Sequence, residues 1–285
     1  MYSSIDEREL SLLSSYILDK SGIIIRPEKA YLIETRLSKL MTDTGAESFS
    51  EFYDYIVSNP DLGYAQKIIN AITVNETMWF RDAALWTLLE EDIIPAFIKE
   101  LTSGRKSKIR IWSAAASTGQ EAYSIAMCID DYLSKNQIKD VSLSDFSIIA
   151  TDISERVLDI AKSGRYDRVS MTRGMSDYYK DKYFVNSESA WNIDSKIKNA
   201  VRFERFNLID SFKMLGLFDV ILCRYVLIYF PDELKEKIVK KIYDSLTDGG
   251  VLFTGNYVLY DLFKDDFDLR NYENITYYTR KMVSR

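Results

Sequence analysis

The sequence predicts a doubly wound α/β domain with a mostly parallel sheet, preceded by a separate helical domain. From Ile109 onward, strand-like apolar runs alternate with helical patterns, which is typical of a parallel sheet covered by helices. The run Phe218–Cys223 is continuously apolar, as strands buried on both faces are. Before Ile109, the chain up to about residue 72 shows only helical periods.

The sequence up to about residue 72 predicts four helices with clear breaks between them. Gly22, Pro27 and Pro60 mark these breaks, because glycine and proline end helical patterns. The third helix is expected to begin at Ser48, and Glu51 follows at the spacing of a capping box. After residue 82, one long helix is predicted up to about Leu101.

Basic side chains on the second helix leave two interpretations open. Lys29, Arg36 and Lys39 share a face that is either simply solvated or contacts an acidic partner helix. Glu28 and Glu34 dilute the positive charge, so the sequence alone does not decide between them.

The composition excludes several kinds of chemistry. A net charge of −6 over 285 residues argues against a protein that binds nucleic acid mainly through contacts to the phosphate backbone. The absence of histidine excludes Ser-His-Asp and Cys-His catalysis. Cys128 and Cys223 lack the spacing of a zinc site, so we expect buried thiols and no metal. No signal peptide and no apolar run of about 18–20 residues is present, which predicts a cytoplasmic protein.

Four signals lie at or just beyond the ends of predicted strands, where ligands bind in open parallel sheets. They are the small-residue turn 114–119, Asp152, Asn207-Leu208 and Arg224-Tyr225. An acid after the second strand is where doubly wound folds hydrogen-bond a ribose, although Asp152 alone is also a plausible helix cap. Together the signals favour a nucleoside-containing ligand, and the lack of G-x-G-x-x-G argues against a dinucleotide.

Longer motifs indicate a family. Residues 73–82 read TVNETMWFRD, residues 112–126 read WSAAASTGQEAYSIA, residues 150–153 read ATDI and residues 218–230 read FDVILCRYVLIYF. These stretches resemble motifs of the CheR family, the S-adenosylmethionine-dependent methyltransferases of bacterial chemotaxis. The resemblance covers nearly the whole chain. It implies a Rossmann-like methyltransferase sheet with an N-terminal helical domain and a small β-subdomain insertion.

The resemblance also implies domain limits and an activity. Residues 1–72 would be the helical domain, 73–105 a linker and helix covering the cofactor, and 106–285 the cofactor-binding domain, with the small subdomain at about 178–203. The activity would form glutamate γ-methyl esters on the cytoplasmic helical bundle of a chemoreceptor, with S-adenosylmethionine as cofactor and S-adenosylhomocysteine as product. Family members that bind a receptor's C-terminal pentapeptide carry a glycine-containing loop, and Val185–Asn199 has no glycine, so no such tether is expected.

Site residues follow from the same resemblance. Arg81 and Tyr229 would be catalytic. The cofactor-binding residues would be Asn75, Thr77 and Arg81 at the methionine end, Glu121 at the amino group, Asp152 at the ribose, Asn207 and Leu208 beside the adenine, and Ala115, Tyr225 and Val226 along the pocket.

Glutamate methylation suits a chain without histidine. A glutamate side chain, with a reference pKa of about 4.3, is already ionised at neutral pH and is its own nucleophile. The enzyme must supply in-line positioning rather than a base. Arg81 could hold a carboxylate in bidentate fashion or merely form a structural salt bridge. Tyr229 could favour a sulfonium by a cation–π contact, orient the substrate, or merely pack.

Several positions depart from the family pattern. They are Ala115 for glycine, Gln120 for glutamate, Ala122 for proline, Tyr225 for asparagine and residues 255–258 (GNYV) for G-H-S-E. Three hypotheses therefore stay open: a methyltransferase of receptor glutamates, a methyltransferase for another protein or a small molecule, and a binding module with weak or no catalysis.

Overall fold

Four α-helices begin the fold. The protein is described by a computed structural model that covers residues 5–255 and 263–282. The first helices are α1 (Glu7–Ser21), α2 (Ala30–Thr44), α3 (Phe49–Ser58) and α4 (Tyr64–Ile72). Asp6 and Glu9 form a reciprocal capping box at the start of α1, and Gly22 ends that helix with φ 75°. The four predicted helices are thus confirmed, and one apolar core joins them.

Two details of the helical part differ from the expectation. Ser48 does cap α3 by accepting from Glu51 N at 3.2 Å, but the Glu51 carboxylate accepts from Glu47 N at 2.9 Å, so the predicted capping box is only half present. Arg36 is not a free member of a basic face, because its Nη1 donates to the Ile72 carbonyl at 2.7 Å. That bond caps the carboxyl end of α4.

The predicted long helix after residue 82 contains a change of winding. It consists of α5 (Ala83–Leu88), a π-helical turn at Leu89–Ile93 and α6 (Ile94–Thr102). Pro95 has no N–H to donate to the carbonyl four residues back, and a wider turn at this point accommodates it. The spacing of apolar residues does not reveal such a turn, because the helix continues through it along the same axis.

Ten strands and six further helices complete the described fold. The strands are β1 (Ile109–Ala114), β2 (Phe146–Asp152), β3 (Arg165–Tyr166), β4 (Phe184–Ser187), β5 (Ala190–Ile193), β6 (Val201–Arg205), β7 (Phe218–Leu222), β8 (Leu246–Phe253), β9 (Phe267–Tyr272) and β10 (Ile275–Arg280). The helices are α7 (Gln120–Lys135), α8 (Glu155–Ser163), α9 (Arg168–Thr172), α10 (Asp177–Tyr183), α11 (Ser195–Asn199) and α12 (Asp232–Asp244).

Seven of these strands form the main sheet, in the order β6-β2-β1-β7-β8-β10-β9. The first five are mutually parallel, and β10 runs antiparallel to both of its neighbours. Alternate residues of β1 enter different cores, Ile111 on one face and Trp112 on the other. A sheet buried on both faces is the doubly wound arrangement, and the predicted fold class is confirmed.

The small subdomain is more ordered than the sequence indicates. Residues 166–200 show no clear period, yet β3, β5 and β4 form a second, antiparallel sheet there. Its strands have two to four residues and exposed faces, which are too short for a periodic signal. The strands of this second sheet lie between Arg165 and Ile193, and Val201 pairs with β2 in the main sheet.

The last strands also differ from the prediction. Ile275–Tyr278 was expected as an antiparallel strand at the edge, and β10 is antiparallel but lies inside the sheet. The edge is β9, whose sequence FDLRNY is too polar for an apolar pattern to mark it. The motif at 255–258 lies outside the described residues beyond Gly255. Within the described helices, none is long and apolar enough to cross a membrane.

Candidate active site

A cavity of about 220 Å³ opens at the carboxyl ends of the central parallel strands. Its walls come from the turn after β1, the ends of β2, β6 and β7, the linker 73–82 and the helical domain. Every predicted site residue lies on this wall: Asn75, Thr77, Arg81, Ala115, Glu121, Asp152, Asn207, Leu208, Tyr225, Val226 and Tyr229. The structure therefore brings together side chains that are up to 154 positions apart, from Asn75 to Tyr229.

The turn between β1 and α7 is built from left-handed residues. Ala115 has φ 58°, Ser117 φ 51° and Gly119 φ 92°. Only glycine fits at 119, because a Cβ there would lie 2.9 Å from the Ala161 Cβ. The turn is fastened to its surroundings, since Ser117 Oγ donates to the Asn75 carbonyl at 2.8 Å. A backbone of this shape can approach a ligand closely.

Asp152 is a buried carboxylate at the end of β2. Its Oδ2 accepts from Ser117 N at 2.9 Å and its Oδ1 accepts from Ser154 N at 2.9 Å. Burial raises the pKa of Asp152, while the two backbone N–H groups oppose that rise. The carboxylate thus caps the turn into α8 and also faces the cavity. Each oxygen keeps a second lone pair, which is what a pair of ribose hydroxyls would use.

Arg224, just after β7, is a site residue to which no sequence motif assigned a role. Its side chain is 3% exposed, and its Nη1 donates to Glu121 Oε2 at 2.6 Å. Its Nη2 donates to Asp82 Oδ2 at 2.5 Å and to the Arg81 carbonyl at 2.8 Å. The other oxygen of Glu121 accepts from Ser113 Oγ at 2.7 Å. The position was noted as a strand-end signal, but only the structure shows that one guanidinium joins the linker to α7.

The linker is held over the cavity at several points. Trp79 N donates to the Arg173 carbonyl at 3.0 Å. Gly174 makes this approach possible, because a Cβ there would lie 2.0 Å from the Trp79 oxygen. Among the described residues, the Arg81 side chain has no carboxylate within ion-pair distance, so the structural salt bridge weighed for it is not seen. The Arg81 guanidinium instead lies over the Tyr225 ring, with Cζ 3.3 Å from the centroid.

Tyr229 has a hydroxyl without a hydrogen-bond partner in the part of the chain that the structure describes. Burial, and then the charge of Glu76, raise the pKa of Tyr229. The phenol therefore stays protonated at neutral pH, and its O–H remains a donor. Its backbone is fixed, since the Tyr229 carbonyl accepts from Ile24 N at 2.9 Å.

The helical domain supplies one wall, which no sequence motif indicated. Ser21 and Ile23 line the cavity directly. Asn207 Nδ2 donates to the Lys20 carbonyl at 3.0 Å, so the amide assigned to the adenine is already engaged by α1. Gly22 packs against the α/β domain, and a Cβ there would lie 2.6 Å from the Ile209 Cγ2. Glycine at 22 thus ends α1 and permits the close domain contact.

The wall fits the chemical parts of S-adenosylmethionine. Asp152 offers acceptors for ribose hydroxyls, and Arg81 and Glu121 offer opposite charges for an amino-acid end. Apolar wall atoms of Leu208 and Ile153 suit a purine. No group of carboxylates and cysteines able to hold a metal ion occurs among the described residues.

We expect Ala115→Gly to stabilise the protein by about 0.5–1 kcal/mol. A left-handed alanine costs about 1–2 kcal/mol, which glycine avoids. Glycine loses more backbone entropy on folding, and this offsets part of the gain. Chemical denaturation measures the effect. The matched control is Ala114→Gly, which lies in β1 and should be destabilised. A stability of Ala115→Gly at or below that of the unaltered chain would show that the left-handed alanine carries no strain.

Two family models match the chain. The one described as "CheR methyltransferase, SAM binding domain" matches residues 75–273, and "CheR methyltransferase, all-alpha domain" matches residues 8–73. Three similar curated proteins show the extent of the likeness. "Chemotaxis protein methyltransferase Cher2" of Pseudomonas putida is 39% identical over 237 residues, which is 82% of this chain and 84% of that protein. "Chemotaxis protein methyltransferase 1" of Pseudomonas aeruginosa is 37% identical, covering 87% and 88%. "Chemotaxis protein methyltransferase" of Vibrio parahaemolyticus is 36% identical, covering 88% and 89%.

Proposed function

Because the chain belongs to the CheR methyltransferase family and contains its S-adenosylmethionine-binding domain, we propose that it forms γ-methyl esters on glutamate side chains of a chemoreceptor. One observation carries the choice of acceptor. The cavity wall presents the protonated Tyr229 as a hydrogen-bond donor, and the chain offers no histidine as a base. Such a site suits an acceptor that is already ionised, and a glutamate carboxylate is one.

The proposed roles follow from where each side chain lies. S-adenosylmethionine, when bound, supplies a methyl group on a positively charged sulfur. Asp152 would accept from the ribose hydroxyls and Glu121 from the amino group of the amino-acid end. Arg81 would hold the carboxylate of that end.

Tyr229 is proposed to act on the acceptor side. Its free O–H can orient one oxygen of the glutamate, which leaves the other oxygen to reach the methyl group. Val226 also lies on the cavity wall and adds an apolar side chain there. Positioning then does the catalytic work, in agreement with a chain that has no histidine.

The proposed partner is the cytoplasmic helical bundle of a chemoreceptor, which would place the enzyme in the cytoplasm. The relatives named as chemotaxis methyltransferases support this choice. The β4–β5 turn consists of Glu188 and Ser189, and the glycine-free stretch around it supports an interaction without a pentapeptide tether.

The test uses transfer of radiolabelled methyl from S-adenosylmethionine to purified receptor cytoplasmic fragments. We expect label on the fragment that mild alkali releases as methanol, because an ester hydrolyses in base and an N-methyl group does not. Fragments with glutamine in place of the candidate glutamates are the control, and they should stay unlabelled. Base-stable label would instead support methylation of another group, and binding of S-adenosylhomocysteine without transfer to any fragment would support a binding module.

A further inference from the structure

Tyr225 occupies a position that an ordinary tyrosine would avoid. Its φ is 59°, in the left-handed region that glycine and asparagine tolerate best. One face of its ring is tightly packed, since a Cβ on Gly255 would lie 3.1–3.2 Å from three of its ring carbons. A strained backbone held in a packed site indicates that its side chain makes contacts that compensate for the strain.

Those contacts reach both residues at the end of the linker. The Tyr225 hydroxyl donates to Asp82 Oδ2 at 2.6 Å, and the ring lies 3.3 Å below the Arg81 guanidinium carbon. Asp82 is itself left-handed, with φ 65°, and so is Phe80, with φ 46°. The linker end is thus strained at two residues and fixed by one tyrosine through two different interactions.

Asp82 is shared between Tyr225 and Arg224. Burial would raise the pKa of Asp82, but hydrogen bonds from Tyr225 and Arg224 outweigh it and lower that pKa. The carboxylate therefore stays ionised and acts as a fixed anchor. It holds the Tyr225 hydroxyl in place, and so it fixes the plane in which the ring meets Arg81.

The stack determines which part of Arg81 is available. A guanidinium offers its flat face to aromatic rings and its N–H edge to carboxylates. The Tyr225 ring covers the face of Arg81, and no carboxylate in the described residues occupies its edge. The edge is therefore left for an anionic group in the cavity. An asparagine at 225, as in the family pattern, has no ring that could do this.

We propose that Tyr225 is a positioning residue, which holds the Arg81 guanidinium flat so that its edge meets the carboxylate of the cofactor's amino-acid end. This inference rests on the role proposed for Arg81. The alternative is that Tyr225 merely fills space and supports the fold. The two roles predict different results once Arg81 is replaced. A residue that positions Arg81 affects ligand affinity only while Arg81 is present.

The test is a double-mutant cycle read by calorimetry with S-adenosylhomocysteine, a ligand that needs no methyl acceptor. Tyr225→Asn suits the left-handed backbone, so we expect it to fold. It should weaken binding about 10-fold, which is of the order of a cation–π and charge-assisted contact in a desolvated site. Arg81→Met should weaken binding by at least as much. In the Arg81→Met background, Tyr225→Asn should then change the affinity less than twofold.

Conservative variants separate the ring from the hydroxyl. Tyr225→Phe keeps the ring over Arg81 but loses the Asp82 bond that fixes the ring plane, so we expect it to weaken binding by about threefold, less than Tyr225→Asn does, and to lower the melting temperature. The matched control is Tyr272→Phe, which loses a hydroxyl bond of the same length, 2.6 Å, to Glu91, and neither residue lines the cavity. Its affinity should not change.

Two outcomes would overturn the inference. One is tight binding by Tyr225→Asn, and the other is a loss that multiplies with that of Arg81→Met, since independent effects multiply. The cycle stays informative if no receptor ester is ever formed. In that case the proposed substrate fails, while the coupling between Tyr225 and Arg81 is still measured.

Discussion

Replacing Asp152 by alanine is expected to weaken binding of S-adenosylhomocysteine by about 100- to 1,000-fold. Hydrogen bonds from two ribose hydroxyls to a carboxylate are together worth about 3–4 kcal/mol in a buried site. The residue already satisfies Ser117 N and Ser154 N, so the variant also leaves two backbone donors without acceptors. Calorimetry gives the affinity, and circular dichroism establishes that the measured protein is folded.

The control for this variant is Asp167→Ala. Asp167 also accepts a backbone N–H, from Ser170 at 2.7 Å, but it caps α9 and lies on the protein surface. Its loss should cost some stability and leave the affinity unchanged. If folded Asp152→Ala bound the ligand within threefold of the unaltered chain, Asp152 would be a structural cap alone.

Arg224→Met is expected to destabilise the fold by about 3–5 kcal/mol, because it leaves the largely buried Glu121 and the partly buried Asp82 without their cation. For a chain of this size we expect the melting temperature to fall by about 10 °C. Methionine keeps much of the side-chain volume, so a cavity contributes little. Affinity for S-adenosylhomocysteine should fall as well, since both carboxylates help to shape the site.

The effect of Arg224→Met should depend on pH. Arg224 helps to lower the pKa of Asp82 in the folded state, so this stabilisation is complete above the ordinary aspartate pKa of about 3.9. It is lost as the pH falls through the folded-state pKa. The stability difference between the variant and the unaltered chain should therefore be constant near neutrality and shrink in acid.

The control is Arg105→Met, which breaks a well-aligned ion pair with Glu100 on the surface. Surface pairs contribute little, so this variant should melt close to the unaltered chain. If both arginine variants lowered the melting temperature equally, the burial of Arg224 would not explain its contribution to stability.

The parts of the site that sequence could predict are those fixed by strand ends. A parallel sheet places the ends of β1, β2, β6 and β7 along one edge, so side chains just after them must meet. This is why the turn after β1, Asp152, Asn207 and Tyr225 lie around one cavity. The buried strands were equally clear, because a sheet covered on both faces needs continuous apolar runs.

The parts that sequence could not predict depend on contacts between distant segments. Arg224 was recognisable as a strand-end residue, but its bonds to Glu121 and Asp82 link three segments that no local pattern relates. The short strands of the subdomain and the polar edge strand β9 show no regular alternation of apolar and polar residues in the sequence. The wall formed by Ser21 and Ile23 depends on how two domains pack, which periodicity does not encode.

The contact made by Gly22 and Ile24 has a thermodynamic consequence. The helical domain contributes part of the cavity wall and a backbone bond to Tyr229, so a ligand in that cavity touches both domains at once. A ligand that binds only while these two domains are in contact favours that contact by mass action. A ligand in the cavity would therefore stabilise the packing of the helical domain against the α/β domain, at the contacts of Gly22 with Ile209 and of Ile24 with Tyr229.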